Sequence, residues 1–347
     1  MKKLLIASAA LAMVAGSVQA QSSVTIYGAV GASSNKTETG GVKAATQFQD
    51  NSRDYLSTTA LGIKGTEDLG GGNKAFFTLE GDLSMSGVLG ANATYAASAA
   101  GTTTNIFNRQ AHVGLSTAYG TVSFGRQNDS VKDTEGLRQT YNLSDNTTNN
   151  TIVGDRIANS YKYATPTWNG LSATYTYSNN PTNADQTAAD GTTTHNSFAI
   201  NYKLPVNGGV DLAYANGKEK IHSTNTEKET TLMSARTVIM GVTVGAGYAV
   251  NENQAGDKLK QTMVSVSKPF GNFEAKAHYV KNKQTGAVIG DASDNTVAGD
   301  GYGVMGVYNL SKRTAAYVGY ADFSADVASN AATSDIKVTT VGLVHKF

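Results

Sequence analysis

The sequence predicts an all-β protein, a closed transmembrane antiparallel β-barrel of about sixteen strands. Three observations support it. Segments of about ten residues alternate apolar and polar side chains, the pattern of a strand with two different faces. Their connections are short at one end and longer and polar at the other. The composition carries 37 Gly, 17 Tyr and only 4 Pro at a mean hydropathy of −0.27, and nothing beyond the amino terminus approaches the run of about 18 apolar residues that a spanning helix needs.

The chain opens with Lys2 and Lys3, an apolar run from Leu4 to Val14, and Val18, Gln19 and Ala20 before Gln21. This reads as a cleaved signal peptide over residues 1–20, leaving a barrel domain over 21–347. Without Lys2 and Lys3 the formal charge passes from +1 to −1, so no nucleic-acid footprint is expected. Cys is absent, which removes disulfides, thiolate metal sites and cysteine nucleophiles.

Val24, Ile26, Gly28 and Val30 alternate with Thr25, Tyr27, Ala29 and Gly31 and open the sheet. Leu61 and Ile63 then face away from Gly62 and Lys64. The turn EDLGGGN lacks the Lys-Ser/Thr ending and the helix of a phosphate loop, so Gly70 to Gly72 are turn residues. Beyond it, Ala75, Phe77 and Leu79 oppose Phe76, Thr78 and Glu80. Two strands joined by TAYG follow, Phe107 to Ser116 and Gly120 to Arg126.

After a long interruption, Tyr161 and Tyr163 share an apolar face while Lys162 and, by parity, Arg156 share the other. The turn TPTWN leads to Leu171, Ala173, Tyr175 and Tyr177, and a long polar loop to Phe198, Ile200, Tyr202 and Leu204. PVNGG turns the chain into Val210, Leu212 and Tyr214. The pattern from Glu229 to Val238 is weak, and Met240 and Gly241 turn it into Val242, Val244, Ala246 and Tyr248. KPFGN and LSKR repeat the short-turn role.

The interruption, Gln127 to Asp155, is too long for an idle connection, and a barrel of about sixteen strands is too wide for side chains to fill. This stretch is therefore expected to fold back into a water-filled lumen. It carries Asp129, Asp133, Glu135 and Asp145.

The strings GTEDLGGGNKAFFTLE (65–80), FNRQAHVGLSTAYGTVSFGRQ (107–127), YNLSKRTAAYVGY (308–320) and VGLVHKF (341–347), with SSVTIYGAV near the start, resemble Gram-negative general porins of the beta-proteobacterial branch. The resemblance covers essentially the whole mature chain. It implies a homotrimer in the outer membrane, each subunit a passive channel for ions and small hydrophilic solutes, with the third extracellular loop inside the barrel. It further implies that a second loop, about Met85 to Thr104, reaches a neighbouring subunit, and that Phe347 is read by the barrel-assembly machinery.

Such porins set acidic groups on the inner loop against basic groups on the wall. Arg109 and Arg156 match two wall arginines, whereas Ala60 stands where a third is usual. Counting back from Leu115 and Val113 places Arg109 on their apolar face. Lys64, Lys162 and Glu80 complete the expected inward-facing charges. With one wall charge missing, the direction of ion preference stays open.

Catalysis is not expected, because His112, His195, His222, His278 and His345 stand in no catalytic motif. Asp291, Asp294 and Asp300 lack calcium-loop spacing, and Asn142, Asn146 and Asn149 are read as chance glycosylation triplets. No cofactor, metal or nucleic-acid partner is implied. Two other readings stay open: a substrate-selective porin with saturable flux, and an outer-membrane barrel hydrolase.

Overall fold

The computed structural model describes residues 22–49, 56, 58–83, 106–139, 155–179, 193–206, 208–222, 224–286, 296–327 and 333–347. The expected signal peptide, the second loop from Met85 to Thr104, and Asp145 lie outside the described residues. The first strand, β1 (Ser23–Thr39), is long enough to pair on both sides of the barrel's closure. Its first part pairs with β4 (Ala60–Gly70), and its later part, from Ala29 to Thr39, with the last strand, β18 (Thr333–Lys346). Two short pieces, β2 (Val42–Lys43) and β3 (Gln47–Gln49), fold back on β1.

From β4 the ladder runs antiparallel through β5 (Asn73–Asp82), β6 (Gln110–Thr117), β7 (Gly120–Asn128), β8 (Arg156–Ala164) and β9 (Leu171–Ser178). It continues through β10 (Thr193–Leu204), β11 (Val210–Ile221), β12 (Thr226–Ile239), β13 (Val242–Asn253) and β14 (Lys258–Phe270). β15 (Phe273–Thr285), β16 (Thr296–Asn309) and β17 (Thr314–Val327) bring it back to β18. Without β2 and β3, sixteen strands form the wall, as the sequence predicts. Lipid offers no hydrogen bonds to the backbone, so the closing ladder is what lets the sheet cross a membrane.

The carboxyl terminus is tied into this seam. The N–H of Phe347 donates to the Gly28 carbonyl at 3.0 Å, and that of Gly28 donates to the Phe347 carbonyl at 3.1 Å. The Phe347 ring lies where a Gly28 Cβ would stand, so this glycine permits the close approach.

Alternation separates the two faces. Val113, Phe124, Tyr161, Tyr163, Tyr175 and Tyr248 are exposed on the outside, while Ser123, Ser160, Thr176, Ser197, Asn251 and Gln261 are buried on the inside. The rule breaks at two inner patches. Met305, Val307, Tyr317 and Phe323 form one apolar cluster along β16 and β17, and Ala199, Ala215, Leu232 and Ala249 form another across β10 to β13. The second explains the weak pattern from Glu229 to Val238, since Leu232 is an inner residue with an apolar neighbour.

That neighbour is Val131 of α1 (Ser130–Glu135), a one-and-a-half-turn helix just after β7. Asp129 caps it by accepting the Lys132 N–H at 2.8 Å. Aspartate at this position satisfies a backbone donor that the first turn leaves unpaired. This helix was not anticipated, although Asp129 before SVKDTE is a recognisable helix-start pattern.

Candidate functional site: the inner wall and the segment docked on it

Residues 129–139 rest on inner-face side chains from β8 to β14. Val131 fills the Ala199, Ala215, Leu232 and Ala249 cluster and is wholly buried. Around it, the Ser130 N–H donates to Ser197 Oγ at 3.1 Å, and Ser130 Oγ lies 3.1 Å from Thr176 Oγ1. Asp129 meets His195 Nε2 at 3.1 Å with both side chains inaccessible.

The far end is held by arginines and glycines. Arg138 is completely buried; its guanidinium donates to Gln261 Oε1 at 2.8 Å, and its carbonyl accepts from Ser265 Oγ at 2.7 Å. Arg236 donates to the carbonyls of Gly136 and Gln139. On β13, a Cβ on Gly247 would stand 2.6 Å from Arg138 Cβ, and one on Gly245 would stand 2.7 Å from the Leu137 carbonyl. Two glycines on one inner face thus provide the flat seat on which Leu137 and Arg138 lie.

Among the described residues, the loop carboxylates are engaged. Asp133 pairs with Lys162, which also donates to the Asn128 carbonyl at 3.0 Å. Glu135 lies 3.1 Å from Lys132 Nζ and 3.9 Å from Arg138. Asp133 keeps 37% of its side chain exposed, yet desolvation by the protein mass around it raises its pKa above the ordinary carboxylate value, a rise that Lys162 opposes without cancelling. Desolvation acts the same way on the more exposed Asp155, but Lys132, Arg156 and Arg126 outweigh it and hold Asp155 below the ordinary value. Burial lowers the pKa of Arg138, and Glu135 partly restores it.

Across the barrel, Tyr27 donates to Glu80 Oε2 at 2.8 Å, and Lys64 Nζ sits 5.0 Å from the centre of the Tyr27 ring. Arg109 reaches Glu80 at 2.5 Å and Asp82 at 3.0 Å. The parity count that places Arg109 on the apolar face of Val113 and Leu115 does not extend to it. β6 begins one residue later, at Gln110, so Arg109 lies outside the alternating ladder and its side chain turns to the inner carboxylates.

The argument for Arg156 also needs correction. The register of β7 and β8 shifts between Gly125 and Gln127, with Asn159 in a left-handed conformation. The extra residue offsets the count, so Arg156 does not share parity with Lys162; Ile157, opposite Gln127, takes the inner position. Arg156 instead lies 3.6 Å from Asp155 and within electrostatic reach of Glu80. Ala60 is buried beside this group, at the level of Asp82. Sequence reading missed Arg138, Arg236, Tyr27, Asp82 and Gln261; for the four on strands the available signal was their parity on inner faces, and for Arg138, which follows the helix, there was none.

The buried pair of His195 with Asp129 holds the segment to the wall, and the other ring nitrogen of His195 has no partner among the described residues. No group of three or more metal-ligating side chains occurs among the described residues. Residues 7–328 match the family described as Gram-negative porin.

The chain belongs to that family. Among curated relatives, major outer membrane protein P.IB of Neisseria meningitidis (strain H44/76) is 30% identical over 379 residues, covering both chains completely. Outer membrane porin protein 32 of Delftia acidovorans is 31% identical over 352 residues, covering 91% of this chain and 88% of that one. In fold, the porin resembles the anion-selective porin from Comamonas acidovorans, with a TM-score of 0.71 and 23% identity over 94% of this chain and 100% of the other. It also resembles Salmonella typhi OmpF in complex with daunomycin, with a TM-score of 0.65 and 17% identity over 93% and 97% of the two chains.

The porin is an outer-membrane protein and a diffusion channel, of the beta-proteobacterial kind that its sequence strings suggest. It is not an enzyme. Its fold is the expected closed barrel.

Proposed function

We propose that the porin is a general diffusion channel for ions and small hydrophilic solutes, narrowed by residues 129–139 and mildly selective for anions. The docking of this segment through Val131, Arg138 and Arg236 carries the proposal. It occupies the inner side of β8 to β14 and leaves the passage between itself and the wall that bears Tyr27, Lys64, Glu80 and Arg109.

Charge gives the direction. Lys64, Arg109, Arg126, Lys132, Arg138, Arg156, Lys162 and Arg236 lie around the passage, against Glu80, Asp82, Asp129, Asp133, Glu135 and Asp155. With Asp211, the cross-strand partner of Arg236, these are eight cations against seven carboxylates, a small cationic excess. Screening acts over about 8 Å at physiological salt, so only groups beside a narrow passage bias ion flow. The anion-selective porin of similar fold supports the same direction.

Three identical subunits in the membrane and recognition of Phe347 by the assembly machinery complete this reading; both rest on the family. Liposome swelling with neutral and anionic solutes tests it. Flux that falls smoothly with solute size supports a general channel. Saturation by one chemical class would replace it with a substrate-selective porin.

A further inference from the structure

Beside the docked segment, the inner wall carries a niche of about 210 Å³. Gln110 and His112 of β6, Thr121 and Gln127 of β7 and Lys162 of β8 form its wall, and Asp133 of α1 bounds it on the side of the segment. Its floor is held in place. Ser123 Oγ donates to Gln127 Oε1 at 2.5 Å, and Gln127 Nε2 donates to Ser160 Oγ at 3.2 Å. Groups fixed in this way on paired strands keep their places without a ligand.

Lys162 and Asp133 are the formally charged side chains on this wall, and they pair with each other. Neither is saturated. An ammonium carries three donors, and Lys162 directs one to Asp133 and one to the Asn128 carbonyl at 3.0 Å. A carboxylate offers about four acceptor sites, and Asp133 keeps 37% of its side chain exposed. The pair thus presents a positive and a negative pole side by side. A lone anion beside it is drawn by Lys162 and repelled by Asp133, and a lone cation meets the reverse, so each gains little. A ligand with both charges, laid antiparallel to the pair, is attracted at both ends. An α-amino acid has this form, because its carboxylate and ammonium share one carbon. The niche is smaller than the ~300–1,000 Å³ of sites for drug-sized molecules, which suits a ligand of a few atoms.

We propose that this niche binds small zwitterionic α-amino acids, with the ligand carboxylate on Lys162 and its ammonium on Asp133. The inference rests on the channel reading above. It adds a class of solute that a swelling panel of neutral and anionic solutes does not read.

Saturation-transfer NMR of the full-length channel in detergent tests it with three probes: L-alanine, N-acetyl-L-alanine, which keeps only the anion, and L-alaninamide, which keeps only the cation. Saturable binding is expected for L-alanine alone. Lys162→Gln and Asp133→Asn each remove one pole and are expected to weaken it about tenfold or more, the loss of one hydrogen bond to a charged group. Ala164→Leu narrows the niche and is expected to weaken binding while leaving the ion pair in place. Open-channel noise at the wild-type level identifies variants whose segment stays docked. Lys36→Ala, on the outward face of β1, is expected to bind normally. Absence of saturable L-alanine binding, equal binding of either singly charged probe, or unchanged binding in docked Ala164→Leu would overturn the proposal. Ohmic conduction without amino acid tests the channel reading separately, so failure of one is distinguishable from failure of the other.

Discussion

Arg138→Met keeps most of the side-chain volume of Arg138 and removes its charge. The guanidinium donates to the buried Gln261 at 2.8 Å and lies 3.9 Å from Glu135. A hydrogen bond from a charged group is worth about 1.5–3 kcal/mol. The Ser265 bond to the Arg138 carbonyl and the hold of Arg236 on Gly136 and Gln139 use main-chain oxygens and survive the change. Gln261 keeps its bond to Asn282 at 3.1 Å. Docking is thus weakened by one charged hydrogen bond and not abolished, which shifts the balance of docked and undocked segment roughly tenfold to a hundredfold. Single-channel recording is the assay. The variant is expected to show greater open-channel noise and excursions to higher conductance, and Arg138→Met combined with Arg236→Gln more of both. Recordings indistinguishable from wild type would refute the view that this contact holds the narrow passage.

Other perturbations separate wall, loop and seam. Arg156→Ala is expected to shift the reversal potential toward cations, while Lys36→Ala, on the outward face of β1, changes it less. Equal shifts would remove Arg156 from the passage. Asp133 has a raised pKa, so it gains its proton as pH falls through a value above 3.8, and anion preference is expected to rise there. The linked stability runs in the same sense: it is present below the ordinary carboxylate pKa and lost as pH rises through the raised one. Asp155, held below the ordinary value, stays charged in that window. Asp133→Asn should abolish the step in a reversal-potential titration, and a step that persists assigns it to another group. Deleting Phe347 removes two seam hydrogen bonds worth about 0.5–1.5 kcal/mol each, whereas Phe347→Ala keeps them and loses the ring over Gly28. Thermal unfolding of the barrel should therefore fall further for the deletion, and equal midpoints would show that the ring alone secures the seam.

The barrel was legible in the sequence because lipid and water impose opposite demands on alternate residues, as at Tyr161, Lys162 and Tyr163. Legibility failed where a third surface enters. Leu232 and Ala249 point inward yet are apolar, because Val131 covers them, and this blurred β12. Parity failed for Arg109 because it precedes the ladder, and for Arg156 because a bulge at Asn159 shifts the count. Arg138 and Arg236 belong to no local motif; they matter only because the chain returns to within a hydrogen bond of β12 and β14. The resemblance supplied an inner loop bearing carboxylates. It did not convey that Asp133 and Glu135 would be bound by cations of the loop and the wall.

The most direct measurement is the zero-current potential of the purified wild-type channel in a planar bilayer under a potassium chloride gradient. Stable ohmic steps with a potential of the sign for chloride permeation are predicted, because cationic groups exceed carboxylates around residues 129–139. Bilayers that remain closed at every voltage would contradict the open, water-filled passage, and a potential of the sign for potassium would contradict its proposed charge balance.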